Sequence, residues 1–289
     1  MTAATGVPAG AAVPAASPTA AVPSARRRAV RIGARRVRIE LLTLLRNPMA
    51  LMFTLVFPLI LLVIFGSVFT GDIAPHVSFT EYFAAGMIAS GAFYSGFQNL
   101  AISVPLERDN GTLKRLRGTP MPPAAYFLGK TGSVVVVYLA QLAVLMGLGA
   151  AVCGLQLPSS AGQWFTLGWV SVLGLAACSL CGMALAGVIG RSEAAAAVVS
   201  PLVVVLQFVS GVFFQYNHLP GWMRGLASVF PLRWLALGMR SVFLPAGFAH
   251  LEPGGGWQHS TTALVLGVWA VVGLVVALRR FRWYPEQRS

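Results

Sequence analysis

The chain has 289 residues, of which 56% are hydrophobic and only 10% charged, with a mean hydropathy of +0.74. That balance excludes an ordinary soluble domain and fits a chain that buries apolar helices in a bilayer. The 21 basic residues against 8 acidic ones would suit a nucleic-acid binder. They flank apolar runs instead of forming a stripe among aromatic platforms, so nucleic acid is not an expected partner.

Residues 1–25 are Ala, Pro, Ser, Thr and Val-rich with no charge before Arg26. Such a tail has almost nothing bulky to bury and is expected to be disordered. No basic segment precedes an apolar core there, so it is not read as a secretory leader. The arginine pairs that follow imitate a twin-arginine signal, but further apolar runs behind them argue against a cleaved leader. Across residues 26–47, Val30, Val37, Leu41, Leu44 and Leu45 recur at helical spacing while Arg31, Arg35, Arg36 and Arg38 cover much of the rest. This predicts an amphipathic helix lying at the inner membrane surface, ended by Asn47-Pro48.

Residues 48–280 read as one all-α membrane domain with six transmembrane helices, at 49–69, 82–104, 125–153, 164–189, 194–214 and 261–278. Each approaches the roughly 20 residues that a 30 Å hydrocarbon core requires; the third is longer and is expected to tilt or protrude. Residues 281–289 form a tail. Of the 21 lysines and arginines, 18 fall on one side of this arrangement, and only Arg224, Arg233 and Arg240 fall on the other. The positive-inside rule therefore predicts a multi-pass cell-membrane protein with both termini in the cytoplasm. Between spans five and six, Leu219-Pro220-Gly221-Trp222 and Phe230-Pro231-Leu232-Arg233-Trp234 fit short external re-entrant helices with tryptophans at the interface.

The densest charge lies between spans two and three. Glu107, Arg108, Asp109, Lys114, Arg115 and Arg117 fall within eleven residues, and Leu106, Leu113 and Leu116 give a helix there one apolar stripe. Thr119-Pro120 stops it. An amphipathic helix ending at membrane level has an apolar side that wants a partner. The order Glu107-Arg108-x-x-Gly111-Thr112-Leu113-x-x-Leu116-x-x-Thr119-Pro120, followed by Gly129-Lys130, resembles the cytoplasmic coupling segment of type-2 ABC exporter permeases, the family that includes the daunorubicin-resistance membrane subunit. Ser210-Gly211-x-Phe213, Leu219-Pro220-x-Trp222, Pro231-Leu232 and Arg240 follow the same family's pattern, with Gln215 standing where many members have proline.

The resemblance implies a homodimeric permease whose coupling segment docks on a separate ABC ATPase. ATP and magnesium would sit on that partner, with no cofactor on this chain. Leu113 and Leu116 would fill the ATPase groove. Glu107 and Arg108 would fix the segment against the N-terminal surface helix, and Gly111 would allow the turn before it. The implied activity is multidrug export, as in antibiotic resistance.

Enzyme chemistry has no carrier. Gly129-Lys130-Thr131 imitates a phosphate loop, but Ala124 stands where the first glycine belongs, and Lys130 is expected to snorkel from span three. Cys178-x-x-Cys181 lies inside an apolar run and reads as helix packing. The histidines are scattered without ligand spacing. No Asp, Glu, Lys or Arg is expected to be buried mid-span, which weighs against an ion-coupled carrier. Phe93, Tyr94, Phe97, Gln98, Asn99, Gln207, Phe208 and Phe213 combine neutral polar groups with aromatic rings, beside Ser95 and Gln141; together they suit a cavity for an amphipathic, drug-like or lipid-like substrate. An ATP-independent carrier or channel, and a membrane assembly scaffold, are the competing readings.

Overall fold

The computed structural model describes residues 25–48, 52, 56–69, 71–75, 77–118, 123–189 and 191–280. The N-terminal tail, most of the start of the first expected span, His76, Thr119, Pro120 and residues 281–289 lie outside them. The described helices are α1 (Ala25–Leu45), α2 (Phe57–Val68), α3 (Phe79–Phe93), α4 (Asn99–Asp109), α5 (Thr112–Arg117), α6 (Pro123–Cys153), α7 (Ala161–Val188), α8 (Ser192–Val209), α9 (Gly221–Val229), α10 (Pro231–Phe243) and α11 (His259–Arg280). A small antiparallel hairpin, β1 (Asp72–Ala74) and β2 (Val77–Ser78), precedes α3.

Four of these helices are long and apolar enough to cross a membrane: α6, α7, α8 and α11. The expected second span runs through three successive segments, α3, a π-helical turn over Tyr94–Gln98, and α4. Those 31 residues extend about 46 Å at 1.5 Å per residue, so the hairpin and the α4–α5 junction stand at opposite ends of the bundle. Within the expected first span, only the 12 residues of α2 form a described α-helix. The fifth is shorter than expected, because α8 ends at Val209 and the chain turns at Gly211, whose φ is 75°.

Local sequence explains the ends. Ser78 and Glu81 form a reciprocal capping box that starts α3, and Ser160 with Gln163 does the same for α7. Gly111 adopts a φ of 71°, left-handed backbone that a side chain disfavours, and so lets the chain leave α4 and begin α5.

α3 is the central pillar, with every residue from Thr80 to Phe93 buried. Around it pack α2, α6, α7 and α10, and one continuous apolar core spans them. Small residues set how closely the helices approach. At Gly182 of α7 an added Cβ would lie 2.5 Å from the Phe97 carbonyl oxygen, and at Gly273 of α11 one would lie 2.8 Å from the backbone at Leu180 and Cys181. This is the small-residue packing that brings membrane helices into contact. Cys178 is fully buried against Gly96 of the π turn, and the Cys181 thiol faces the Trp269 carbonyl oxygen at 3.5 Å. The Cys-x-x-Cys pair therefore packs one helix between two neighbours.

The N-terminal helix does more than lie on a surface. α1 packs along α6, with Arg36 over Gly129, Val37 over Gly132 and Gly33 against Leu128. Ile39, Leu42 and Leu45 stay exposed.

Gly182→Val should force α7 away from backbone that cannot yield. A loss of about 1–3 kcal/mol is expected for such overpacking, read as a lower midpoint of thermal unfolding in detergent. Gly147→Ala, where a Cβ meets nothing within 4 Å, should leave the midpoint within error.

Candidate coupling site

Three consecutive residues at the end of α4 join four other helices. Glu107 accepts a hydrogen bond from the Tyr126 hydroxyl at 2.9 Å and pairs with Lys130 at 2.6 Å, both on α6; it also meets Arg36 of α1 at 3.5 Å. Glu40 completes the group, contacting Arg36 at 3.1 Å and Lys130 at 3.2 Å. Two cations thus face two carboxylates, with 5–18% of each side chain exposed. A site with so little water raises Coulomb attraction above its value in bulk solvent, and removing one member leaves an uncompensated charge.

Arg108 turns the other way. It is 4% exposed and donates to the Ala186 carbonyl at 2.9 Å and the Ile189 carbonyl at 3.4 Å, at the C-terminal end of α7. Asp109 accepts from the Ser192 backbone N–H at 2.7 Å, at the start of α8. A cation at a helix C-terminus and an anion at an N-terminus both complement the helix dipoles. The pair grips the α7–α8 turn from each side.

Several sequence expectations change here. Glu107 contacts Arg36 of the N-terminal helix, whereas the Arg108 guanidinium donates to the end of α7, whose orphan carbonyls need a donor. Lys130 does not snorkel. It is 4% exposed because two carboxylates draw it inward. Leu113 is fully buried within the chain and does not project outward as groove filler. Leu116 is half-buried, while Lys114 and Arg115 are exposed, with Arg115 also donating to the Asn110 carbonyl at 3.2 Å. The surface that α5 offers is thus basic. Thr112 is half-buried, and Thr119 and Pro120 lie outside the described residues.

The residues expected to form a substrate cavity fall at several places among the described residues. Phe93 and Phe97 stack at 4.8 Å inside the core. Tyr94 lies near Gln207, whose Nε2 is buried without a hydrogen-bond partner among the described residues. Phe213 joins Phe65, Phe83 and Phe208 in an aromatic cluster, with Phe208 still exposed. Gln98 is half-buried and Asn99 exposed. At and around the π turn, side-chain atoms of Ser95, Gln98, Gln141, Ser179 and Gln207 are buried without a hydrogen-bond partner among the described residues.

A second charged group, missed in the sequence, sits at the hairpin end. Glu252 holds Arg233 at 3.0 Å and Arg240 at 3.1 Å, and all three are at most 4% exposed. Arg233 lies 3.8 Å over the Tyr216 ring and Arg240 3.9 Å over Tyr82; Arg240 also donates to the Gly211 carbonyl. The available signal was the spacing of seven between the arginines, which puts both on one face of α10. Beside the group opens a cavity of about 260 Å³ lined by residues including Tyr82, Tyr216, His218 and Glu252. None of the eight expected cavity residues lines it.

Long apolar helices cemented by glycine contacts, with the ion pairs of the described residues gathered at the two ends, define a helical membrane protein. Residues 36–244 match the family described as ABC-2 type transporter, and the chain belongs to that family. It is a transport subunit without a catalytic domain, of a class that works with ABC ATPase subunits. It is also 21% identical over 196 residues to "Putative transport permease YvfS" of Bacillus subtilis (strain 168), a match covering 66% of this chain and 77% of that one.

Glu107→Gln and Lys130→Met should each lower stability, by about 1.5–3 kcal/mol for the charge-assisted bonds lost. The double variant should lose less than the sum, because each single change strands the other's charge. Thermal unfolding of the four proteins checks this; simple additivity would mean that the two groups are energetically independent.

Proposed function

We propose that this chain is the membrane half of an ATP-driven exporter, paired as a homodimer with two separate ATPase subunits that bind ATP and magnesium. The domain is read as six spans: α2 with the residues before it, the α3–π–α4 run, and the four long helices. α9 and α10 are short re-entrant helices on the external side. Both termini and the α4–α5 junction face the cytoplasm, in keeping with the charge distribution. The substrate class is amphipathic and drug-like or lipid-like, as in daunorubicin-resistance permeases.

The observation that carries this reading is the Glu107-Arg108-Asp109 junction. A push on α5 is delivered, through one tripeptide, to α1 and α6 by Glu107 and to α7 and α8 by Arg108 and Asp109. A domain that only anchors an assembly has no use for a joint of that kind. The π turn supplies compliance above the joint, since a π-helical turn interrupts regular α-helical bonding where function asks for it. Its unpartnered polar atoms are costly in lipid and gain partners when a polar substrate or water reaches them.

The docking contact follows from what α5 exposes. Lys114→Glu with Arg115→Glu should abolish co-purification of an ATPase from gently solubilised membranes while leaving the thermal midpoint of the permease unchanged. Leu113→Glu should instead unfold the junction, because it puts a charge where the side chain is fully enclosed. An ATPase retained by the folded Lys114→Glu, Arg115→Glu protein would move the docking surface elsewhere; none with wild type, under conditions that preserve the complex, would favour a carrier.

A further inference from the structure

The charged group at the hairpin end has more positive charge than its own residues neutralise. Arg233 and Arg240 share the single carboxylate of Glu252, so one positive charge remains, and neither arginine has another ion-pair partner among the described residues. Arg233 Nη1 and Arg240 Nε are buried without hydrogen-bond partners there. Excess charge held out of water is costly and is relieved by a counter-ion.

The cavity next to this group is where a counter-ion has room. Its wall comprises Ile73, Tyr82, Gln215 to His218, Phe248, Leu251 and Glu252. A cation finds its usual recognition groups already engaged. Each oxygen of Glu252 already holds a guanidinium, and the rings of Tyr82 and Tyr216 each carry a stacked arginine, which opposes a second cation at the same ring. An anion is attracted by the residual charge behind the wall and meets the Gln215 amide and the His218 imidazole on its surface, while the Asn217 amide donates to the Leu251 carbonyl. At about 260 Å³ the space is below the range of roughly 300–1,000 Å³ usual for drug-sized ligands. It suits one small headgroup.

We infer that this cavity is an anion site that takes a phosphate-bearing group. Under the orientation proposed above it opens on the external side. The group comes either from an anionic lipid headgroup or from free phosphate. The site does not depend on the chain being an exporter, so its test stands apart from the ATPase experiment.

The full chain in neutral detergent is titrated with inorganic phosphate, with short-chain phosphatidylglycerol, with sodium chloride at matched ionic strength and with tetramethylammonium chloride, and its thermal midpoint is followed. A saturable rise of about 4 °C with phosphate or phosphatidylglycerol is expected, the size that a bound ligand at a large multiple of its Kd gives a chain of this length. Stabilisation by phosphate itself identifies a free-anion site; stabilisation by the lipid alone identifies a headgroup site. Ile73→Trp, which adds bulk to the cavity wall, should abolish the rise. Glu252→Gln, if folded, should bind at about tenfold lower concentration, since it removes the one competing negative charge. The inference is overturned by no rise beyond that of sodium chloride, by a rise with tetramethylammonium in place of the anions, by a rise that survives Ile73→Trp, or by weaker anion binding in folded Glu252→Gln.

Discussion

The carboxylate of Glu107 is the constraint on which the organisation at one end of the bundle rests. It lies where water is scarce, so it has to be paired, and its partners come from two different helices. Meeting that requirement fixes α4 against α6 and draws in Arg36, which sets the position of α1. Glu40 then balances the second cation. Because the four charges cancel, the cluster avoids the penalty that an unpaired buried ion would carry. Geometry, more than net stabilisation, is what such a group provides: several side chains agree on one arrangement.

Above that joint the same helix behaves differently. Between Tyr94 and Gln98 the α-helical ladder gives way to a π turn, and the neighbouring helices approach through Gly96 and Gly182 with almost no room to spare. Polar atoms at this level have no hydrogen-bond partners among the described residues. The lower part of the pillar is therefore cross-linked by charge, and the middle is tightly packed but polar and under-bonded. A mechanical input at α5 meets stiffness first and an interrupted ladder second, which suits a change of tilt in the middle of the helix.

Much of this was legible beforehand because it rests on local pattern. Apolar runs long enough to cross a bilayer, glycine at position 111 and the basic segment around Lys114 are all features of near neighbours in sequence. The parts that were not legible depend on distant partners. Lys130 next to an apolar run reads as a residue reaching for solvent, and only the arrival of Glu40 and Glu107 from other helices turns it inward. Leu113 fits an exposed stripe equally well until the fold encloses it. Glu252, alone in a loop, gave no hint that two arginines on α10 would converge on it. The eight residues grouped as a cavity share composition, yet helix rotation sends Asn99 outward and Phe97 inward, so chemistry alone could not assemble them.

The grip of Arg108 and Asp109 on the α7–α8 turn is made entirely through backbone groups: two carbonyls and one N–H. Main-chain atoms are the same whatever side chain they carry. The contact itself therefore places no demand on the side chains of Ala186, Ile189 and Ser192, which answer only to their own packing (Ala186 is fully buried), whereas neither member of the gripping pair has an equivalent freedom. The robustness is lopsided, with one partner held by the contact and the other not. Related chains should accordingly vary at the turn while showing no compensating change at positions 108 and 109, so a search for correlated substitutions would pass over one of the firmest contacts in the molecule.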